Sequence, residues 1–340
     1  LSFLKQKSQR QEKPIICNLI MDEMSIRKQL VVKNKDLYGP VNLGFHRERH
    51  EEELEEMEDG NADESTLPPL AKNALVFMLV ALNDSWKVPC GYFFVNSLNG
   101  TERANLLRKA FDLLHEHGVI IPSLTFDGAA VNFSAARELG ANFEPGSNFK
   151  PYFQHNVTNQ KVYIFPDTSH MLKNVRNSFA KTQKFDKSTK NFCKRPFSDD
   201  EGLPISWEYI GKIVDTQNSV GLTLSRLTLR HVKYTESIMN VKLAAQTLSH
   251  STSTALKYLE EDLKDPLFNG ARGTAKFCMM FNNAFDLLNC RSLAVKSTFG
   301  HPVNEKNYST LKAEADKIIN YISSLKNSKG DAVIRGNQKC

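Results

Sequence analysis

The fold is decided by the stretch IICNLIMDE at residues 15–23, in which a mostly apolar run ends in two acids. Pro14 precedes the run, and the run itself carries few helix signals. An apolar segment of this length is typical of a strand that is buried within a sheet. The sequence therefore predicts a buried β-strand that ends at Asp22 and Glu23.

A second stretch with the same character is VIIPSLTF at residues 119–126, which leads directly into Asp127 and a glycine. Asp-Gly is a common turn pair. The segment from Asn132 to Leu139 then has the pattern of a helix, and Gly140 is suited to end it. The prediction here is a strand, a tight turn and a helix, with Asp127 at the end of the strand.

Further strands and helices are predicted around these two stretches. Apolar residues recur at helical spacing from Thr101 to Gly118, a glycine that is suited to end the helix. Another helix is predicted after Asp167 or Thr168, either of which can cap it. Additional strand-like segments lie at residues 29–33, 74–82, 88–95 and 162–165. Strands and helices that follow one another in this way predict a mixed α/β domain.

The second half of the chain is predicted to be mainly helical. A linker rich in Lys, Asp and Pro runs from Lys181 to Pro204, and apolar residues then recur at i, i+3 and i+4. We therefore expect one domain at residues 1–181 and a helical domain at residues 182–340. The segments with the helical pattern are Trp207–Val214, Leu222–Leu229, Val241–Leu248, Thr254–Leu263, Thr274–Leu288 and Leu311–Leu325.

One segment of the first half has a different composition. Residues 47–69 are dominated by Glu and Asp. Like charges repel one another and such a block cannot bury a core, so we expect a disordered loop there.

The composition sets broad limits on function. The 340 residues are 41% hydrophobic and 24% charged, enough for two folded units. A net charge of +6 suits a polyanionic partner but also fits many ordinary basic proteins. The six scattered cysteines lack the spacing of a zinc site and favour an intracellular compartment. Because no apolar stretch approaches the ~18 residues of a membrane span, no membrane partner is expected. The start lacks Met, which suggests a fragment of a longer protein.

The two strand-end acids form the candidate catalytic pair. Taken singly, Asp22 and Asp127 are each more often turn or cap residues. As a pair they are more informative: if their two strands lie side by side in one sheet, the acids could share Mg²⁺ or Mn²⁺, which prefer carboxylate oxygens. Two such ions stabilise both the attacking and the leaving oxygen of a phosphoryl displacement. That chemistry normally uses a third acid, and no downstream Glu is a convincing candidate.

Several blocks of the sequence resemble P-element-like DNA transposases of the THAP9 type, and they occur in the order found in that family. The resemblance spans roughly residues 14 to 295, and ordered blocks are a more specific signal than any single motif. The blocks are MDEMSIR at 21–27, FDGAAVN at 126–132, PDTSHMLKNVRN at 166–177, KLAAQTLS at 242–249 and FNNAFDLLN at 281–289.

This resemblance implies an α/β ribonuclease-H-like core, a mixed sheet flanked by helices, followed by a mainly α-helical insertion domain. It implies a DDE-type transposase that cleaves transposon ends and transfers strands, with Asp22 and Asp127 as the first two members of an Asp-Asp-Glu triad. The third acid and the last core segment would then lie beyond residue 340, so we expect this fragment to be incomplete and inactive. Nuclear location, transposon-end and target DNA as partners, and a homo-oligomer are further expectations. The alternative is a domesticated, inactive descendant that binds DNA and GTP.

The resemblance also implies that the helical insertion binds GTP without using it as a hydrolysed fuel. Asp286 and Asn289 match the family's Asp-x-x-Asn element, in which a carboxylate can accept from guanine N1 and N2 while an amide meets O6. Without the resemblance, these two residues would be interpreted as a surface pair at i, i+3. A P-loop GTPase is excluded, since its Gly-x4-Gly-Lys-[Ser/Thr] motif is absent. The remaining residues at or near nucleotide contacts are Arg226, Asn240, Val241 and Ser249.

Two further features have alternative interpretations. His170 could support the active site, like the His of Cys/Asp-x-x-His motifs in related transposases, or it could be a partly buried helix-capping residue. Lys and Arg residues between Lys173 and Arg195 could bind DNA phosphates or form a solvated linker.

Overall fold

A computed structural model describes residues 14–33, 36–43, 69–144, 146–181, 183–186, 191–194, 197–290, 297–327 and 329–333. Its contacts divide the chain into two compact units, Leu1–Asp167 and Thr168–Cys340. The segment predicted to be an acidic loop, residues 47–69, lies outside the described residues except for Pro69.

A six-stranded sheet forms the centre of the first unit. Its strands are β1 (Ile15–Ser25), β4 (Asn73–Ala81), β5 (Lys87–Val95), β6 (Val119–Phe126), β7 (Tyr152–Gln154) and β8 (Lys161–Pro166). They lie in the order β5-β4-β1-β6-β8-β7, and a separate hairpin pairs β2 (Val31–Lys33) with β3 (Asp36–Tyr38). Neighbours pair antiparallel from β1 through β4 to β5, whereas β6 runs parallel to both β1 and β8, and β7 is antiparallel to β8. The mixed sheet predicted from the sequence is therefore confirmed.

The sheet forms the core of the first unit together with two helices. In β1, Cys17, Leu19 and Met21 are buried while the residues between them are partly exposed, as the two-residue period of a strand requires. Helix α1 (Gly100–Glu116) begins with a capping box between Asn99 and Glu102, and helix α2 (Ala130–Glu138) follows β6 after a short turn. The buried core side chains from these helices include Leu107, Phe111, Leu114 and Phe133.

The second unit is mainly helical, as predicted, and its core includes Trp207, Ile210, Leu256 and Phe277. The helices are α3 (Thr168–Ala180), α4 (Glu208–Val220), α5 (Leu229–Val232), α6 (Val241–Thr247), α7 (His250–Lys257), α8 (Arg272–Leu288) and α9 (Tyr308–Ser324). Among the described helices, none combines the length and apolar character needed to cross a membrane.

The predicted helix at Leu222–Leu229 is wrong over most of its length. Residues 221–228 form an irregular loop, and α5 begins at Leu229. The side chain of Gln217 holds this loop: its oxygen accepts from the N–H of Ser225 at 2.6 Å, and its amide donates to the carbonyl of Leu227 at 3.0 Å. These bonds supply backbone partners that a helix would otherwise provide.

The segment predicted to be a polar linker, Lys181 to Pro204, contains short strands. Strand β9 (Gln183–Asp186) pairs with β10 (Asn191–Lys194), and β11 (Phe197–Ser198) pairs with β12 (Pro204–Ile205). The carboxylate of Asp199 closes the second turn by accepting from the N–H groups of Glu201 and Leu203. Composition does not reveal such side-chain-to-backbone bonds, which favour a turn over an extended linker.

The boundary between the compact units falls earlier than the predicted domain boundary at residues 181 and 182. Helix α3 belongs to the second unit, because Leu172, Phe179 and Ala180 are buried in the helical core. Compact units and sequence domains are different divisions of a chain, and the limits 1–181 and 182–340 stay a prediction.

Candidate functional site

The two predicted catalytic acids occupy neighbouring positions in the sheet. Met21 of β1 is the partner of Phe126 of β6 in a parallel register, and Asp22 and Asp127 are the next residues along the chain. Neighbouring strands are separated by about 4.8 Å. Strand pairing therefore brings the backbone positions of the two aspartates side by side.

The two aspartates differ in how they are held. Asp22 is exposed, and its Oδ1 accepts from the N–H of Glu23 at 2.9 Å. Asp127 is partly buried, and its Oδ1 accepts from the N–H of Ala129 at 3.0 Å and from the side-chain amide of Asn132 at 2.7 Å. Both donors hold Asp127 through the same oxygen, which orients this carboxylate against the start of α2.

A buried arginine extends this arrangement to the first strand. Arg103 of α1 is only 5% exposed, and its Nη1 donates to the side-chain oxygen of Asn132 at 3.0 Å. Its Nη2 forms an ion pair with the carboxylate of Glu23, which also accepts from the amide of Asn73 at 2.6 Å. A chain of polar contacts thus joins β4, β1, α1 and α2, and ends on Asp127.

This chain of contacts gives different surroundings to the two neighbouring acids of β1. The Glu23 carboxylate is neutralised by Arg103, whereas the Asp22 carboxylate is exposed and can reach a cation. Sequence reasoning misses Arg103, Asn132 and Asn73 as parts of the site. Asn132 lies within one of the family-like blocks, but the helical pattern around Arg103 gives no signal that this side chain is buried.

His170 lies in the first turn of α3, within the second unit. In that unit the hydroxyl of Thr168 donates to the carbonyl of Leu288 at 3.4 Å. The start of α3 therefore lies beside the end of α8, the helix that carries Asp286. The role of His170 in catalysis stays a prediction.

Three of the predicted nucleotide contacts lie at helix starts. Asn240 caps α6, and its Oδ1 accepts from the N–H of Leu243 at 3.0 Å, while Val241 is the first residue of that helix. Ser249 caps α7, and its hydroxyl oxygen accepts from the N–H of Thr252 at 3.2 Å. The side chains of Asn240 and Ser249 thus act as helix caps.

Asp286 is connected to the start of α7 by Asn282, a residue that sequence reasoning does not single out. Asn282 accepts from the N–H of His250 at 3.1 Å and donates to Oδ2 of Asp286 at 3.2 Å. The same Oδ2 accepts from the hydroxyl of Ser297 at 2.6 Å. The structure therefore brings Ser249 and Asp286 into one region, and Asn289 lies at the C-terminal cap of α8.

Arg226 lies elsewhere in the second unit, in the loop at residues 221–228. This exposed residue lines a cavity of about 440 Å³ between the end of α4 and the start of α5. The other predicted nucleotide contacts are not part of the cavity lining, which consists of Gln217, Asn218, Gly221, Leu222, Thr223, Ser225, Arg226, Leu227 and Thr228.

The basic segment between Lys173 and Arg195 is only partly an exposed surface. Lys173 is 6% exposed and Arg176 is fully buried. Two nitrogens of Arg176 are engaged: Nε donates to Asn177, and Nη2 donates to the carbonyls of Ser237 and Ile238. These two cations thus belong to the interior of the helical unit and not to an exposed phosphate-binding surface.

Comparison with known proteins identifies the family. A model described as TNP-like, RNase H N-terminal domain matches residues 1–140, and one described as TNP-like, GTP-binding insertion domain matches residues 169–302. The human DNA transposase THAP9 is 27% identical over 326 residues, which is 95% of this chain and 33% of that protein. The chain belongs to the P-element-like transposase family.

A second curated relative supports this family, and a solved structure shares the fold. The transposable element P transposase of Drosophila melanogaster is 26% identical over 221 residues, which is 62% of this chain and 25% of that protein. The solved structure is the Drosophila P element transposase strand transfer complex, which superimposes on this chain with a TM-score of 0.71 at 18% sequence identity. The match covers 100% of this chain and 65% of the chain in that complex. The matched part of the chain thus spans about a third of the length of THAP9 and about a quarter of the length of the P transposase.

These matches confirm the predicted ribonuclease-H-like fold followed by a helical insertion. The first family model includes both aspartates of the sheet edge, and the second includes His170 and all the predicted nucleotide contacts. The roles of the individual residues in this transposase-family chain stay predictions.

Proposed function

We propose that this chain forms part of a DNA transposase in which Asp22 and Asp127 hold divalent metal for cleavage and strand transfer of transposon-end DNA. The observation that supports this proposal best is the register of β1 and β6, in which the two acids follow directly paired residues. We further propose that the helical unit binds GTP as a non-hydrolysed cofactor, and that the whole protein works in the nucleus as a homo-oligomer.

The carboxylate oxygens of Asp22 and Asp127 are suitable ligands for a hard cation. Mg²⁺ and Mn²⁺ prefer carboxylate oxygens, and Asp22 offers an exposed carboxylate. Asp127 is bonded through Oδ1, which leaves its other oxygen to face a ligand. In the part of the chain that the structure describes, no group of three or more His, Cys, Asp or Glu could hold a metal. The pair is therefore a partial site, to which a third acid from outside the described residues would contribute.

The metal, when bound, would supply Lewis-acid activation of the attacking oxygen and stabilise the charge on the leaving oxygen. The protein's own contribution is to fix the ligands. Asn132 and Ala129 hold Asp127 in one orientation, and the Arg103 and Glu23 pair holds Asn132 in place. Fixed ligands reduce the reorganisation needed when charge develops during phosphoryl transfer.

The guanine-binding part of the proposal uses Asp286. A carboxylate accepts two hydrogen bonds from guanine N1 and N2, whereas adenine lacks this pair of donors. In the structure Oδ2 of Asp286 accepts instead from Asn282 and Ser297. A guanine base would take over or share these bonds, so preference for GTP over ATP should depend on Asp286.

The complete protein with Mg²⁺, GTP and transposon-end DNA would test the catalytic proposal. We expect Asp22→Asn and Asp127→Asn each to abolish cleavage, while Glu116→Gln, a change at an exposed acid at the end of α1, retains it. Unchanged cleavage by both aspartate variants would refute the assigned chemistry. A wild-type protein that binds DNA and GTP but never cleaves would support the domesticated, inactive alternative.

A guanine-nucleotide titration tests the second part separately. We expect the wild-type chain to bind GTP more tightly than ATP, and Asp286→Ala to lose that preference. Asp316→Asn is the matched control, because Asp316 is an exposed helical acid that pairs with Lys312. Equal GTP affinity of wild type and Asp286→Ala would dismiss this site.

A further inference from the structure

Helix α3 carries two buried cations, Lys173 and Arg176. Lys173 is 6% exposed and Arg176 is fully buried. In the part of the chain that the structure describes, no carboxylate forms an ion pair with either side chain. Burial of a charge is costly when no opposite charge compensates it. An anionic ligand bound close to α3 would supply that compensation.

The guanidinium of Arg176 is only partly satisfied by the groups around it. Nη2 donates to the carbonyls of Ser237 at 3.3 Å and Ile238 at 3.0 Å, and the guanidinium carbon lies 5.6 Å from the centre of the Tyr234 ring. Nη1 is buried and has no hydrogen-bond partner among the residues that the structure describes. Burial lowers the pKa of Arg176 because it disfavours the charged form, yet an arginine stays protonated in proteins. Carbonyl dipoles and a ring thus hold this cation without neutralising it.

Arg176 holds the backbone that leads into two predicted nucleotide contacts. The carbonyls that it binds belong to Ser237 and Ile238. Two residues after Ile238 the chain reaches Asn240, which caps α6 and precedes Val241, the first residue of that helix. The buried cation therefore lies directly behind the part of the site that begins at Asn240.

Helix α3 extends from the predicted base-binding end of the site toward the start of α6. At its first residue, the hydroxyl of Thr168 donates to the carbonyl of Leu288, which lies two residues beyond Asp286 on α8. Lys173 lies further along α3, one turn before Arg176 and on the same side of the helix. If Asp286 takes the guanine base, both cations lie toward the other end of the nucleotide, which carries the phosphates.

We propose that Lys173 and Arg176 give the nucleotide site its preference for a triphosphate, by attracting the phosphate groups through the interior of the helical unit. Arg176 acts in addition as a positioning residue, because it fixes the backbone before Asn240. Neither role requires the guanidinium to touch the ligand. This inference rests on the proposed GTP binding, and it adds two residues that are not among the predicted nucleotide contacts.

The charge of the ligand distinguishes this role from ordinary packing. Coulomb attraction is proportional to the charge of the ligand, and it is screened less inside a protein than in water. Guanosine carries no phosphate, and GDP carries fewer negative charges than GTP. Loss of a buried cation should therefore weaken GTP binding most, GDP binding less and guanosine binding least. A side chain that only packs would change the three affinities alike.

Isothermal titration of the 340-residue chain with guanosine, GDP and GTP, at one fixed Mg²⁺ concentration, tests this order. We expect Lys173→Gln and Arg176→Met each to weaken GTP binding by about tenfold and guanosine binding by less than about twofold. Lys257→Gln is the matched control, because Lys257 is an exposed lysine at the end of α7. The control should leave all three affinities unchanged.

Conservative variants separate the charge from the position of its donors. Lys173→Arg keeps the charge and should keep the triphosphate preference. Arg176→Lys keeps the charge but loses the fork of donors, so it should retain the preference with a lower affinity for all three ligands. Together with Lys173→Gln, these variants decide the question if circular dichroism shows that Arg176→Met does not fold.

Two results would overturn this inference while GTP binding itself stands. One is equal weakening of guanosine and GTP binding in Lys173→Gln and Arg176→Met, which would mean that the cations only stabilise the fold. The other is unchanged GTP affinity in both variants. A wild-type chain that binds none of the three ligands would instead refute the proposed GTP binding, and this inference with it.

Discussion

Met21 and Phe126 are direct partners in the parallel pairing of β1 and β6, and an aspartate follows each of them. This pairing places two acids that are remote in sequence side by side, at the ends of two central strands of the sheet. The proposed metal chemistry depends on it, and the polar chain from Glu23 through Arg103 and Asn132 ends on one of these acids, Asp127.

The ion pair of Arg103 and Glu23 should stabilise the first unit. Arg103→Met leaves the largely buried Glu23 carboxylate without its cation, so we expect the free energy of unfolding to fall by about 3 kcal/mol. Adding Glu23→Gln to Arg103→Met should recover part of that loss, because the uncompensated charge is then removed. Urea unfolding of the single and double variants checks this.

The control for this pair is Lys312→Met, which breaks an exposed pair with Asp316 and should change stability little. An equal loss in Arg103→Met and in the double variant would contradict the pairing argument.

Asn282 should matter for guanine-nucleotide binding although the sequence does not predict it as a contact. Asn282→Ala removes the bridge between the N–H of His250 and the carboxylate of Asp286, so we expect GTP affinity to fall by about fivefold to tenfold. Asn283→Ala is the neighbouring control: Asn283 donates to Glu314 and accepts from Asn282, so this variant keeps the bond from Asn282 to Asp286. Isothermal titration of GTP measures both. A similar loss from the two variants would show a general effect on α8 and not a specific one at Asp286.

Two helical glycines should respond in opposite directions to alanine. A Cβ at Gly273 would lie 2.6 Å from the carbonyl oxygen of Pro204, so Gly273→Ala should destabilise the protein by about 1–3 kcal/mol. A Cβ at Gly211 in α4 would have no heavy atom within 4 Å beyond its chain neighbours and the backbone of its own helix, so Gly211→Ala should stabilise the protein by about 0.5–1 kcal/mol. Thermal unfolding compares the two. A stabilising effect of Gly273→Ala would contradict the close approach of α8 to the carbonyl of Pro204.

His231 should make stability depend on pH. Burial lowers the pKa of His231 below its ordinary 6.5, and nearby Arg176 and Arg230 act in the same direction. The N–H of Thr228 donates to Nδ1 of the ring, and Nε2 donates to the side-chain oxygen of Gln246. The unfolded chain therefore binds a proton more readily than the folded chain as pH falls through 6.5. The free energy of unfolding should decrease there and level off once pH is below the folded-state pKa.

Urea unfolding at pH ~8 and pH ~5 measures this effect. A His231→Gln variant should lose that part of the pH dependence, because glutamine does not titrate. If the variant and the wild type lose the same stability on acidification, the dependence comes from other groups.

The sequence predicts the strands that carry the two aspartates, but it does not predict the side-chain contacts around them. The apolar runs before Asp22 and Asp127 predict strands correctly, because a buried strand leaves a local pattern. The predicted end of the first strand is too early, since β1 continues past Asp22 and Glu23 to Ser25. Arg103 meets Glu23 only because α1 packs beside the end of β1, and a helix pattern carries no signal for a contact over that sequence distance. The contact between Asn132 and Arg103 escapes prediction for the same reason.

In the second unit, local periodicity is reliable for the long helices and misleading for the short segment at 222–229. The leucines of that segment have a helical pattern, yet the side chain of Gln217 binds the backbone of Ser225 and Leu227 and holds a loop. Tertiary hydrogen bonds of this kind override propensity. Arg226 therefore lines a loop cavity and does not lie on a helix.

Binding of Mn²⁺ to the 340-residue chain, followed by electron paramagnetic resonance, tests the central claim most directly. If Asp22 and Asp127 bind the same ion, Asp22→Asn and Asp127→Asn should each weaken binding strongly, and the double variant should be little worse than either single one. Glu116→Gln should bind like the wild type. Independent losses that add in the double variant, or no loss in either single variant, would contradict a shared metal site.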